Sequence, residues 1–181
     1  GLEAIGRSGA QADTAKLDWL NQHYLKAMPN PQLLEALDPY IEKQTGSPAP
    51  RTEGFAQLVD VLRERSTTLP EMAEKSAWAV SEPEEYDAKA ASKHLKPAAR
   101  PVLAALQAQL ESLSEWNAGE LEAGFERVQA ELDGLSMGKI AQPTRVAITG
   151  TSVSPGIYET LVAVGRERSL ERIATALEWI D

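Results

Sequence analysis

Apolar residues recur at steps of three and four along nearly the whole chain, the spacing that gathers them on one side of a helix. Leu17, Leu20, Tyr24 and Leu25, with Trp19 adjacent, predict a first helix that starts at a cap on Asp13 or Thr14 and runs to about Met28. Leu33, Leu34, Leu37 and Ile41 mark a second, opened by Asn30-Pro31 as cap and first-turn proline. Pro39 is expected to kink or break it, since proline lacks an N–H and crowds the carbonyl of Glu35. After a GSPAP loop over 46–50, Thr52 opens a third helix with Phe55, Leu58, Val59 and Leu62 on one face, and Pro70 starts a fourth carrying Met72, Ala73 and Ala77. The polar, proline-containing SEPEEY over 81–86 reads as a subdomain boundary. Beyond it a short helix is predicted over 87–95. Pro97 and Pro101 bracket the start of another with Leu103, Leu106, Leu110 and Leu113 in step, and Asn117 caps one with Leu121, Phe125, Val128 and Leu132 that Gly134 ends.

The residues from 138 to 172 pack several helix boundaries into a short span. Pro143 suits the first turn of a short helix ended by Gly150; Ser154-Pro155 reads as an N-cap followed by first-turn proline, with Gly165 closing that helix; Ser169 caps a last one. The last helix carries Leu170, Ile173, Leu177 and Ile180 on one face, with Trp179 expected to be partly buried. Val146 to Thr149 would suit a strand by local preference, but no other stretch offers it a partner. The lead, residues 1–11, has little periodicity and is expected to be loose.

Charge changes this picture in one place. The net charge is −9, which argues against a general nucleic-acid binder but leaves room for a local basic site. Lys139, Arg145, Arg166 and Arg168, opposed by Glu159 and Glu167, make the 138–172 stretch net basic. Helix N-termini beside arginines suit phosphates and exposed base edges. With 181 residues and 43% apolar content the chain can bury one ordinary core or two small ones. The absence of cysteine removes a disulfide framework, a thiolate metal site and a cysteine nucleophile. No apolar run spans a bilayer and no signal peptide is visible, which fits a cytoplasmic protein without membrane association.

The same residues carry a resemblance. GKIAQPTRVAITG, then SPGIYE, then LVAVGRERSLER resembles the C-terminal anticodon-binding region of bacterial glutamyl-tRNA synthetases, and KLDWLNQHYL over 16–25 is similar to the helix that follows the catalytic domain in that family. The resemblance implies an all-α chain of two small helical subdomains in tandem, elongated, with the catalytic domain removed, and it implies a helix at Val146 to Thr149. It divides the chain into a lead and packing helix over 1–28, whose apolar face would be unusually exposed without its partner, a first anticodon-binding subdomain over 29–84 and a second over 85–181. The partners it implies are the anticodon loop of glutamate tRNA and, in cis, the catalytic domain, in a monomer. The parent reaction is ATP- and Mg-dependent ligation of glutamate to tRNA by a class I synthetase. The chain alone should be inactive and without a cofactor of its own, since neither H-x-G-H nor K-M-S-K-S occurs in it.

Residue by residue, the RxRxxTL pattern puts Arg65 at the family position that reads the last anticodon base, where arginine goes with preference for glutamate over glutamine tRNA. Arg145 in QPTR, Ser154 before Pro-Gly and Ile157 after it fall on the readers of the first two bases, with Gln142 a further candidate; Tyr158 stands where phenylalanine is common. Each has a bland reading as well. Arg63 and Arg65 suit the C-terminal end of a helix dipole, Ser154 an N-cap and Ile157 the core. His23 reads as structural, His94 as either a phosphate contact or a helix C-cap, and the Glu84-Glu85 pair as solvent-facing. Two other classes compete. A helical protein-interaction module would leave the arginines of 138–172 scattered in space. A stand-alone enzyme would need a nucleophile–base pair or metal cluster that cannot be assembled here.

Overall fold

The computed structural model describes residues 11–180, all helix and connecting turns with no strand among them. The lead, residues 1–10, lies outside them. The helices are α1 (Gln11–Ala27), α2 (Asn30–Thr45), α3 (Glu53–Arg63), α4 (Leu69–Ser76), α5 (Ala88–His94), α6 (Arg100–Glu111), α7 (Ala118–Glu131), α8 (Met137–Thr149), α9 (Ile157–Val164) and α10 (Arg166–Trp179). No helix of the described residues is long and apolar enough to cross a membrane.

Caps written in the sequence hold. Thr52 accepts from the Phe55 N–H (3.2 Å) and Asn117 from Glu120 (3.0 Å), each satisfying one orphan donor of a first turn. Asp87, read only as the start of a short helix, caps α5 in the same way by accepting from Ala90 (2.7 Å). Several other boundary expectations are corrected. The backbone of α1 is already helical at Gln11, so Asp13 and Thr14 lie inside it. Asn30 caps nothing; its amide donates to Asp60 (2.9 Å) and its oxygen accepts from Arg63. α2 is not broken at Pro39, which lies on the solvent side, where the Glu35 carbonyl that loses its partner is not forced into an apolar core. Trp179 is partly buried as expected, 51% exposed with its ring edge-on to Tyr86 at 5.5 Å.

Two cores form. Leu33, Leu37, Ile41, Phe55, Leu58, Val59 and Met72 pack in the first, from α2, α3 and α4. Leu103, Leu106, Leu110, Leu121, Phe125, Ile140, Val146 and Ile173 lead the second, from α6, α7, α8 and α10. α9 joins them. Its Ala163 is buried in the first core and its Leu161 in the second, and Trp78 packs against both. α3 approaches α9 so closely that a Cβ on Gly54 would lie 2.3 Å from the Val162 carbonyl oxygen, a distance only glycine allows. The lower side of α1 seats Leu25 in the first core, while Leu17, Trp19, Leu20 and Tyr24 stay exposed.

Candidate functional site

The α8–α9 connection is built by local hydrogen bonds. Gly150 ends α8 in the left-handed region (φ 77°), with its N–H on the Val146 carbonyl at 2.9 Å. A Cβ there would press on Pro83 at 3.0 Å, and the Asp87 N–H donates to the Gly150 carbonyl at 2.8 Å, so the 83–87 linker is docked at this corner. Arg145 then braces the loop: its Nε donates to Ser154 Oγ (2.8 Å) and one terminal nitrogen, Nη2, to the Pro155 carbonyl (3.4 Å). Ser154 Oγ also pairs with Thr160 Oγ1 at 3.0 Å. Burial pushes the Arg145 pKa down. Three expectations change here. Pro143 lies midway along α8 rather than in its first turn, because the helix begins at Met137. Ser154 is not the cap of α9, which starts at Ile157 after Gly156; its hydroxyl is taken by Arg145 and Thr160. Ser169 lies inside α10, fully buried and unpaired, because α10 starts at Arg166.

Facing this loop is the turn after α3. Its Arg65 is exposed, and its guanidinium makes no hydrogen bond or ion pair among the described residues. The backbone beneath is held firmly. The Arg65 N–H donates to Leu62 (2.9 Å), and Lys75 Nζ donates to the Arg65 carbonyl (2.5 Å) and to Glu71 (2.6 Å). Glu71 also accepts from the Thr67 N–H (2.8 Å) while Thr68 Oγ1 accepts from the Glu71 N–H (3.3 Å), a capping arrangement at the start of α4. The Lys75 hydrogen bond first, then Thr67, lowers the Glu71 pKa to about 2.

Between the two walls lies an open cleft of about 560 Å³, with Arg65, Lys75 and Trp78 on one side and Val153, Ser154 and Pro155 on the other. Glu71 and Glu74 also line it, so a bare phosphate would meet carboxylates there, whereas a polar base edge finds an arginine fork between apolar surfaces. Trp78, whose Nε1 donates to the Lys75 carbonyl (2.7 Å), and Val153, 80% exposed, were not singled out from the sequence. A lone tryptophan or valine carries no periodic or motif signal of its own.

Arg65 and Ser154 thus share one cleft, with Arg145 directly behind Ser154. Gln142 lies in an adjoining groove of about 660 Å³ with Lys89, Lys93, His94 and Ser152. Ile157 is 7% exposed and packs in the second core. The remaining arginines of the 138–172 stretch are occupied elsewhere, against the expectation that they supply the basic site. Arg166 donates to the Glu111 carbonyl (2.7 Å), and Arg168 to Glu82 (2.9 Å) and the Ala79 carbonyl (2.9 Å). Arg172 is buried, donating to Glu82 (2.6 Å) and to the carbonyls of Trp78 (2.8 Å), Ile148 (2.6 Å) and Ser81 (2.9 Å). Burial pushes the Arg172 pKa down despite Glu82; burial pushes Glu82 up, but the hydrogen bonds from Arg172 and Arg168 outweigh it and hold its carboxyl below the usual range. Arg63 likewise serves structure, donating to the Met28 carbonyl (2.8 Å) just past the end of α1. Among the described residues no group of three or more His, Asp or Glu side chains could hold a metal ion.

The family model of the anticodon binding domain matches residues 32–177. A glutamate–tRNA ligase of Syntrophobacter fumaroxidans (strain DSM 10017 / MPOB) is 38% identical over 180 residues, 99% of this chain. The chain spans 38% of that relative's length. Two solved structures share the fold. A glutamate tRNA ligase from Elizabethkingia meningosepticum CCUG26117, in complex with its amino acid, aligns with a TM-score of 0.79 at 24% identity over 91% of this chain and 32% of its own. A glutamate-tRNA synthetase from Elizabethkingia anophelis aligns with a TM-score of 0.77 at 24% identity, again over 91% of this chain and 32% of its own.

Proposed function

The chain belongs to the anticodon binding domain family, and from that membership we propose that it reads the anticodon loop of glutamate tRNA as one part of a glutamate–tRNA ligase. The observation that carries this reading is the convergence of a partnerless Arg65 with a Ser154 braced by Arg145 across one open cleft. Unpaired loop bases are read on their Watson–Crick edges. The Arg65 fork can give two N–H bonds to the O2 and N3 of a cytosine at the last anticodon position, with Trp78 and Val153 as apolar walls for the ring. Arg145 spends Nε and Nη2 on the loop, which leaves Nη1 for a ligand. Arg145 and Ser154 serve the first two bases. Ile157 adds the first-turn N–H of α9 rather than its buried side chain, and Gln142 meets the RNA just outside the cleft.

In this reading 29–84 and 85–181 are the two anticodon-binding subdomains, and the exposed Leu17, Trp19, Leu20 and Tyr24 of α1 pack on a catalytic domain in cis. ATP, magnesium and the ligation of glutamate belong to that domain, in a monomer working in the cytoplasm. The parent enzyme separates glutamate from glutamine tRNA through Arg65.

The test is binding of the chain, at low salt, to glutamate tRNA and to the same tRNA with its last anticodon base changed. The base change is expected to cost about 1–3 kcal/mol, a loss that Arg65→Gln reproduces and does not compound. Equal binding of both tRNAs by the unaltered chain overturns the reading.

A further inference from the structure

Beyond the cleft that holds Arg65, we propose that the groove between α5 and α8 is a second RNA-binding surface, one that holds the phosphate backbone of the anticodon stem. It rests on the anticodon-reading proposal for the identity of the RNA and continues it from bases to backbone.

The groove runs against the composition of the chain. The chain carries 27 acidic and 18 basic residues overall, so a groove lined by several cations and no acid has the opposite sign to the whole. Two adjoining depressions, of about 660 Å³ and about 400 Å³, share Lys93 and His94, add Lys89 on one side and Lys96 with Lys139 on the other, and include no aspartate or glutamate. All four lysines are exposed, and none of their ammonium groups has a hydrogen bond or ion pair among the described residues. Of the four lysines elsewhere, Lys26 pairs with Glu64 at 2.8 Å and Lys75 with Glu71 at 2.6 Å, while Lys16 and Lys43 stand singly in solvent, so it is the clustering of four that marks the groove. Four unpaired like charges along one groove repel one another, an arrangement that an anionic ligand relieves.

Helix capping does not account for it. Lys93 and His94 stand in the last turn of α5, where a cation is favoured by the helix dipole. Lys89 stands in its first turn, where a cation is disfavoured, while Lys96 follows the helix and Lys139 comes from α8. His94 is half-buried between them, and burial, then the charges of Lys93, Lys96 and Arg145, lowers its pKa.

The residue type and the position select the ligand. Ammonium groups are point charges that suit phosphate oxygens, whereas the planar fork of Arg65 suits a base edge. Gln142 and Ser152 line the groove next to the lysines, and Ser152 is two residues before Ser154 in the reading cleft. An RNA whose loop bases enter the cleft therefore leads its backbone directly onto the groove.

The experiment measures affinity of the 181-residue chain across a salt series. The two RNAs are the anticodon stem-loop of glutamate tRNA and the same stem-loop with the last anticodon base changed. The quadruple variant Lys89→Gln, Lys93→Gln, Lys96→Gln, Lys139→Gln is compared with the unaltered chain, with a Lys93→Glu, Lys139→Glu variant as the stronger perturbation. All these positions are exposed, so thermal melts should superimpose. The expected result is an affinity loss of about tenfold or more, equal for the two RNAs, with a salt dependence shallower by about one in log–log slope for each phosphate contact removed. The ratio between the two RNAs stays as in the unaltered chain. An unchanged affinity and slope with the base preference intact overturns the groove and leaves the reading of the anticodon standing. A lysine-dependent slope in a chain that shows no base preference does the reverse. Absence of binding by the unaltered chain at low salt overturns both.

Discussion

Arginine does opposite work at the seam around Arg172 and in the cleft around Arg65. Arg172 is buried and spends its guanidinium on Glu82 and on the carbonyls of Trp78, Ser81 and Ile148. These acceptors come from the end of the first helical group, the linker and α8, so one side chain ties three segments together. Arg65 is anchored only through its backbone, by Leu62 and Lys75, and its guanidinium is left open. The difference teaches that an arginine open to a ligand here is one with a rigid backbone under an unsatisfied side chain, the feature on which the proposed reading of a base by Arg65 rests. Residue type and local charge do not distinguish the two arginines.

The largest expected effect tests the seam. Arg172→Met strips a buried charge from Glu82 and leaves three carbonyls without their donor, so urea unfolding should show a loss of about 3–5 kcal/mol. A melt matching the unaltered chain would break the comparison. Next is Gly54→Ala, whose Cβ would meet the Val162 carbonyl at 2.3 Å. The α3–α9 contact must then open, at about 1–3 kcal/mol of stability, and base discrimination should fall with it because the cleft walls move apart. Arg65→Gln sharpens the contrast from the other side: discrimination is lost as described above while unfolding stays within about 0.5 kcal/mol. Ser154→Ala should lie between, costing about 1 kcal/mol by removing the acceptor that holds Arg145.

The smallest effect is a pH dependence. The Glu71 carboxyl, lowered to about 2 from 4.5, contributes stability that is full above the unfolded value and is lost as pH falls through its folded one. Thermal melts of the unaltered chain and Glu71→Gln should therefore differ above pH 4.5 and draw together toward pH 2. A difference that persists at the acid end would show that the carboxylate charge is not what holds the Arg65 turn.

Much of the helical framework was legible. The apolar steps of Leu33 to Ile41, of Phe55 to Leu62 and of Leu103 to Leu113 are the buried faces of α2, α3 and α6. The caps at Thr52 and Asn117 and the stops at Gly150 and Gly165 stand where local chemistry put them. Legibility failed where a side chain had a choice of partners. Ser154 and Ser169 both look like N-caps, but Ser154 is claimed by Arg145, and α9 and α10 take Gly156 and Gly165 instead. Pro39 looks like a breaker, yet its position on the solvent side lets the helix continue. The candidate site was half legible. Arg65, Arg145 and Ser154 came from motif resemblance and do converge, whereas Trp78 and Val153 carry no signal of their own and enter only as neighbours.

By itself the sequence determined that this protein is helical, which faces its helices bury, and where some of them begin and end. Those outcomes depend on interactions within one or two turns. Only the tertiary structure decided that Arg65 and Ser154 face each other, that Arg166, Arg168 and Arg172 are consumed by structure, and that four lysines from α5, the turn after it and α8 line one acid-free groove. Partner choice for an arginine is a competition among acceptors brought near by packing. That packing is set by the close approach of α3 to α9 at Gly54 and by the docking of the linker at Gly150, contacts between residues far apart in the chain.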